Sequence, residues 1–168
     1  MITVGVLTIS DRCSRGETQD QSGPLLQQIA RERLGAQVTV TACVPDDREQ
    51  IAFTLRDWCD NARADLILTS GGTGFSPRDV TPEAMADVIE REAPGLAEAM
   101  RRETARITPH AMLSRAVAGI RRSTLIVNLP GSARAVAENL EAILPALPHG
   151  IEILKGGHGA NEHHEYKK

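Results

Sequence analysis

Aromatic residues make up 2% of the chain: one Trp, one Tyr and two Phe. Any core must therefore be aliphatic, and the stacking platforms on which proteins hold single-stranded nucleic acid are missing. Basic residues are too dispersed for a polymer of phosphates. Nineteen Lys and Arg stand against 22 Asp and Glu, giving a net charge of −3, with no basic run that would release many counterions. Small anionic ligands remain compatible, because they need only local donors. Cysteine is scarce as well. Cys13, Cys43 and Cys59 are odd in number and lack C-x-x-C spacing, which argues against a disulfide framework or a structural zinc site and for free thiols in a reducing cytosol. No apolar run approaches the roughly 18 to 20 residues of a membrane span. The opening Met1-Ile2-Thr3-Val4-Gly5-Val6 has neither the basic start nor the long apolar core of a signal peptide. A cytoplasmic protein is expected, with no membrane and no nucleic acid polymer as partner.

At 168 residues the chain has the length of one domain able to bury a proper core. Its most informative stretch is Asp65 to Ala84. Leu66 to Leu68 is a short apolar run of the kind found in strands buried on both faces. Gly71, Gly72 and Gly74 then free the backbone from the steric limits on φ. Amide N–H groups in such a loop form a concavity suited to an anion, and Thr73 adds a hydroxyl. Thr81 reads as an N-cap, Pro82 as a first helical residue and Glu83 as a complement to the helix dipole. No lysine followed by Ser or Thr completes a P-loop, and the glycines do not follow G-x-G-x-x-G. A turn between strand and helix accounts for the glycines alone; the small polar residues ending in Asp79 exceed what a turn needs.

Elsewhere, strand and helix patterns alternate. Ile2 to Ile9 predicts a first strand, followed by a long polar loop from Ser10 to Gly23, equally compatible with a functional loop and with a mobile surface one. Pro24 to Leu34 repeats Leu25, Leu26, Ile29, Ala30 and Leu34 with helical spacing. Gln37 to Val44 is β-branched and strand-like. The next helix, about Asp47 to Asn61, buries Ile51, Leu55, Trp58 and Cys59, with Asp46 and Glu49 at capping-box spacing; an N-cap role would explain Asp46. Two helices are expected over Pro82 to Glu92 and Gly95 to Arg106, with Arg101, Arg102 and Arg106 on a solvated face. Ala116 to Ile120 and Thr124 to Leu129 are close enough to pair as a hairpin, which would place one antiparallel strand in a mostly parallel sheet. Leu129-Pro130-Gly131-Ser132 is a second glycine turn before a helix from Ala133, a candidate anion site or a plain turn. Pro145 and Pro148 break that helix before Ile151 to Leu154. Residues 1–155 form the expected domain. Residues 156–168 read as a mobile tail, a better account of His158, His163 and His164 than a metal site.

Five ordered motifs resemble the molybdenum cofactor biosynthesis family, which contains the molybdopterin adenylyltransferases and the G domains of gephyrin and its plant counterpart. They are Thr8-Ile9-Ser10-Asp11-Arg12, Val44-Pro45-Asp46, Ser70-Gly71-Gly72-Thr73-Gly74 with Arg78-Asp79-Val80-Thr81-Pro82-Glu83-Ala84, Ala111-Met112-Leu113-Ser114-Arg115, and Asn128-Leu129-Pro130-Gly131. Where the family often has a proline two residues after that last glycine, this chain has Ala133. The resemblance implies a three-layer α/β/α sandwich around a mixed sheet, a homotrimer, and transfer of AMP from ATP to the terminal phosphate of molybdopterin. Asp46 and Asp79 are then the catalytic and Mg²⁺-positioning carboxylates. Ser10, Asp11, Ser70, Gly71, Gly72, Thr73, Gly74 and Ser114 bind substrate, and Pro130 and Gly131 face the nucleotide. Other enzymes of molybdenum cofactor biosynthesis are further expected partners. The rival reading is a trimeric carrier that holds molybdopterin without chemistry.

Overall fold

The structure, a computed structural model, describes residues 1–156. The expected tail therefore lies, beyond Gly156, outside the described residues. In chain order the elements are β1 (Thr3–Ile9), α1 (Asp11–Ser14), α2 (Ser22–Leu34), β2 (Gln37–Val44), α3 (Arg48–Asp60), β3 (Leu66–Ser70), α4 (Thr81–Ala86) and β4 (Arg91–Glu92). There follow α5 (Pro94–Ala105), a 3-10 turn over Pro109–Leu113, β5 (Ala118–Arg121), β6 (Thr124–Leu129), α6 (Ala133–Ile143) and α7 (Leu147–Leu154).

The strands form a six-stranded sheet in the order β2-β1-β3-β6-β5-β4. β2, β1, β3 and β6 pair in parallel, and β5 runs antiparallel to both neighbours. This is the expected mixed sheet with one reversed strand. Side chains alternate across a strand, so β3 and β6, buried along their whole length, feed two cores. Leu66, Leu68, Leu125, Val127 and Leu129 meet α2, α5, α6 and α7 on one face through Leu26, Met100, Val136, Leu140 and Ile151. Ile67 and Ile126 meet α3 and α4 on the other through Ile51, Leu55, Trp58 and Met85. The result is the three-layer sandwich.

Several local expectations are corrected. Asp47 caps α3, its side chain accepting from Gln50 N at 2.8 Å, so Asp46 is not the cap. The helix expected over Pro82 to Glu92 ends at Ala86, because Glu90 N and Ala93 N donate to Ile120 O and Ala118 O and draw Arg91–Glu92 onto the sheet edge as β4. Thr81 is the first residue of α4, which Val80 precedes without a side-chain cap. Arg101 is half-buried, its guanidinium donating to Ser114 O and Ala116 O. Pro148 lies in the first turn of α7 instead of ending a helix. The start of the Ser10–Gly23 loop winds into α1, capped by Ser10.

Candidate active site

The connection from β1 leads outward to β2, while that from β3, its neighbour on the other flank, leads the opposite way toward β4, β5 and β6. At such a switch point the loops part and leave a crevice beyond the carboxyl ends of the strands. A cleft of about 420 Å³ occupies that position, lined among others by Ser10, Asp20, Ser22, Asp46, Ser70, Gly71, Gly72, Asp79, Gly131 and Ser132. The structure thus joins the ends of β1, β2, β3 and β6 at one place. A depression of about 370 Å³ along β4, β5 and α5 lacks the glycine turn.

The glycine turn owes its shape to two residues. Gly71 has φ 109° and Gly72 φ 66°, and a Cβ on either would lie 2.2 Å from Ile9 O or 2.1 Å from Thr81 Oγ1. Gly74 does not adopt positive φ; a Cβ there would come within 2.8 Å of Asp79 Oδ2. The amide of Gly71 is committed to Leu129 O at 3.0 Å, while those of Gly72, Thr73 and Gly74 have no intramolecular acceptor among the described residues. Asn128, wholly buried, braces the turn from below, its Nδ2 donating to Thr69 Oγ1 at 3.0 Å and to Gly71 O at 3.3 Å. The first residues of α2 and α6 also line the cleft, and helix N-termini favour negative charge.

Opposite these positive ends stand carboxylates. Asp46 Oδ2 accepts from Asp11 N at 2.9 Å, and Asp11 Oδ1 accepts from Asp46 N at 3.1 Å. Burial pushes the Asp46 carboxyl above its ordinary range, and the neighbouring charges of Asp11 and Asp79 add to the rise. For Asp11, burial pushes upward, but the Arg78 guanidinium and the Asp46 N–H outweigh it and hold the carboxyl low. Asp79 Oδ2 accepts from Ser76 N at 2.9 Å. Asp20 takes hydrogen bonds from Thr8 Oγ1 at 2.6 Å and Gly23 N at 3.0 Å. The cleft therefore combines anion-attracting backbone with carboxylates that repel an anion unless a cation sits between them.

That chemistry bears on a metal. No cluster of three or more His, Cys, Asp or Glu among the described residues forms an all-protein cage. Mg²⁺ commonly needs only one or two carboxylates plus substrate oxygens, and the two oxygens Asp46 Oδ1 and Asp79 Oδ1 accept no hydrogen bond among the described residues. The residues suit the ion.

Comparison with known proteins decides the family. A profile described as a probable molybdopterin binding domain matches residues 5–149. The chain belongs to the molybdenum cofactor biosynthesis family. Gephyrin of Dictyostelium discoideum is 48% identical over 160 residues, 90% of this chain but 22% of its own length. This chain thus spans about a fifth of that relative. The molybdopterin adenylyltransferase of Helicobacter pylori strain J99 is 40% identical over 158 residues, 94% of this chain and 90% of its own. The crystal structure of the molybdopterin biosynthesis enzyme MoaB from Thermus thermophilus superposes with a TM-score of 0.87 at 48% identity, covering 93% of this chain and 98% of that one.

Within this family fold, the sequence-predicted residues divide. Ser10, Asp46, Ser70, Gly71, Gly72, Asp79 and Gly131 line the cleft; Asp11, Thr73, Gly74, Ser114 and Pro130 do not. Ser10 Oγ caps α1 by accepting from Cys13 N, and Ser70 Oγ shares a 2.7 Å hydrogen bond with Ser22. Asp11 stands behind Asp46 and pairs with Arg78. Ser114 Oγ accepts from Ala116 N at 3.3 Å. Sequence reasoning misses Asp20, Arg78, Asn128 and Arg115 as individual parts. Each stands in a motif or loop that the sequence marks, but key partners are distant in the chain: Thr8 lies 12 residues from Asp20 and Asp11 lies 67 from Arg78.

Proposed function

We propose that this chain is a molybdopterin adenylyltransferase, moving AMP from ATP to the terminal phosphate of molybdopterin with release of pyrophosphate. The observation that carries the reading is the convergence of the open Gly72 amide, two helix N-termini and the Asp46–Asp79 carboxylates on one cleft. A terminal phosphate oxygen of molybdopterin attacks the α-phosphorus of ATP, the new P–O bond forms, and the α–β bridging bond breaks as pyrophosphate leaves. With a second pKa of about 6, a phosphate monoester is mostly ionised at neutral pH and needs no strong general base. The barrier is the approach of one anion to another. Asp46 and Asp79 are the residues that would hold Mg²⁺, whose charge neutralises the triphosphate when it is bound. The open Gly72 amide orients the pterin phosphate in the cleft, and the turn at Gly131 faces the nucleotide. Turnover is assayed as pyrophosphate released from ATP, which should require both molybdopterin and Mg²⁺. Tight molybdopterin binding without release would make the chain a carrier.

The assembly proposed is a homotrimer. Support comes from Ile107, Met112 and Leu113 around the 3-10 turn, apolar side chains 52%, 70% and 49% exposed, since surface apolar clusters mark association sites. Sedimentation at micromolar concentration should give a trimer without nucleotide and a smaller species for Met112→Glu. A wild-type monomer refutes it.

A further inference from the structure

Asp79 sits at the end of an irregular loop, yet a group that positions a cation must be held still. Its restraint comes from a residue outside the cleft. Arg115, between the 3-10 turn and β5, spends its whole guanidinium on the loop and its base. Nε donates to Gly74 O at 2.9 Å, Nη2 to Asp79 O at 2.6 Å, and Nη1 to Glu83 Oε1 at 2.5 Å. Its own amide donates to Thr73 O at 2.8 Å. One side chain therefore ties the loop where it leaves the glycine turn and where it reaches the aspartate, and Glu83 of α4 fixes the guanidinium in turn. Between those ties the loop closes on itself: Asp79 N donates to Ser76 O, and Ser76 N to Asp79 Oδ2, both at 2.9 Å. The other half of the turn is braced independently, Gly71 by Asn128 and Leu129 and Gly72 by Thr81 N, which donates to Gly72 O.

We propose that Arg115 is a positioning residue that fixes the Asp79 carboxylate for the cation–nucleotide complex, separately from the part of the turn that takes the second substrate. The inference rests on the adenylyl-transfer reading for the identity of the nucleotide, but the geometry is Arg115's own. A lysine keeps the charge and loses the planar fork that reaches three acceptors at once. Residues that orient a metal-holding carboxylate typically change metal affinity by about 10- to 100-fold when replaced.

The test uses the full chain, Arg115→Lys and Arg115→Ala. Mn²⁺ is titrated in the presence of a non-hydrolysable ATP analogue and free ion is counted by electron paramagnetic resonance; Mg²⁺ dependence of pyrophosphate release and melting temperature are measured alongside. Both variants should bind Mn²⁺ about 10-fold more weakly, with a matching rise in the Mg²⁺ needed for half-maximal turnover and an unchanged KM for molybdopterin. Added guanidinium ion should restore part of the Mn²⁺ affinity of Arg115→Ala. Unchanged Mn²⁺ affinity overturns the proposal, as does a loss that follows the unfolded fraction and ignores guanidinium. If wild type binds Mn²⁺ with the analogue but releases no pyrophosphate, the adenylyltransferase reading fails while the titration still decides the role of Arg115.

Discussion

Replacing Gly71 by alanine tests whether the glycine turn is shaped by backbone geometry. At φ 109° an L side chain is strained, at a cost of about 1–3 kcal/mol. The added Cβ would also sit 2.2 Å from Ile9 O and 3.2 Å from Ile9 C. Those are backbone atoms at the end of β1, in the middle of the sheet, and they cannot rotate away. Strain and overpacking together should reach about 3–5 kcal/mol, a large part of the roughly 5–15 kcal/mol that holds a domain folded. For a domain of this size each kcal/mol moves the melting temperature about 2–4 °C, so Gly71→Ala should melt about 6–20 °C lower by circular dichroism or calorimetry. Gly131→Ala is the control. Its Cβ would meet only Gly71 Cα, at 3.5 Å, an ordinary contact, and its melting temperature should stay near wild type. A Gly71→Ala protein that melts with wild type would refute the geometric account of the turn.

Asp46→Asn should gain stability at neutral pH while losing turnover about 100-fold. Burial and the Asp11 and Asp79 charges raise the folded-state pKa of Asp46, so its ionised form costs stability above that pKa, and the cost fades as pH falls through it. The melting advantage of the variant should therefore shrink in acid; an advantage that grows there would reverse the sign. Thr81→Val should also stabilise, because Thr81 Oγ1 is buried without a hydrogen-bond partner among the described residues and valine has its shape. A gain of up to about 1 kcal/mol appears as a raised melting temperature, and a clear fall would show that the hydroxyl has a partner.

How legible these features are depends on whether the signal is local. The β3–glycine turn can be read because an apolar run followed by clustered glycines has few other uses, and the β5–β6 hairpin because two apolar runs flank only Arg121, Arg122 and Ser123. Asp46 and Asp47 cannot be separated, since adjacent aspartates offer the same capping chemistry and only the bond to Gln50 N selects Asp47. β4 carries no pattern at all: Arg91 and Glu92 are exposed and become a strand only because β5 offers an edge. Ser114 stands out in the sequence while its neighbour Arg115 does not, because a hydroxyl suggests a phosphate contact by itself, whereas the value of the arginine lies in carbonyls of residues 74 and 79. Asp20 is hidden in the same way, its role set by Thr8 and Gly23 across a folded loop.

The central claim is that Asp46 and Asp79 hold a cation on ATP in the cleft. Asp79→Asn keeps the size of the side chain and a carbonyl oxygen for Ser76 N, and removes the charge. Turnover and melting temperature should be measured on the same samples, with molybdopterin binding in parallel. The account predicts that pyrophosphate release falls about 100-fold or more while molybdopterin affinity and melting temperature stay close to wild type. An unchanged rate per folded molecule with a lowered melting temperature would contradict it, leaving Asp79 a residue that only caps its loop.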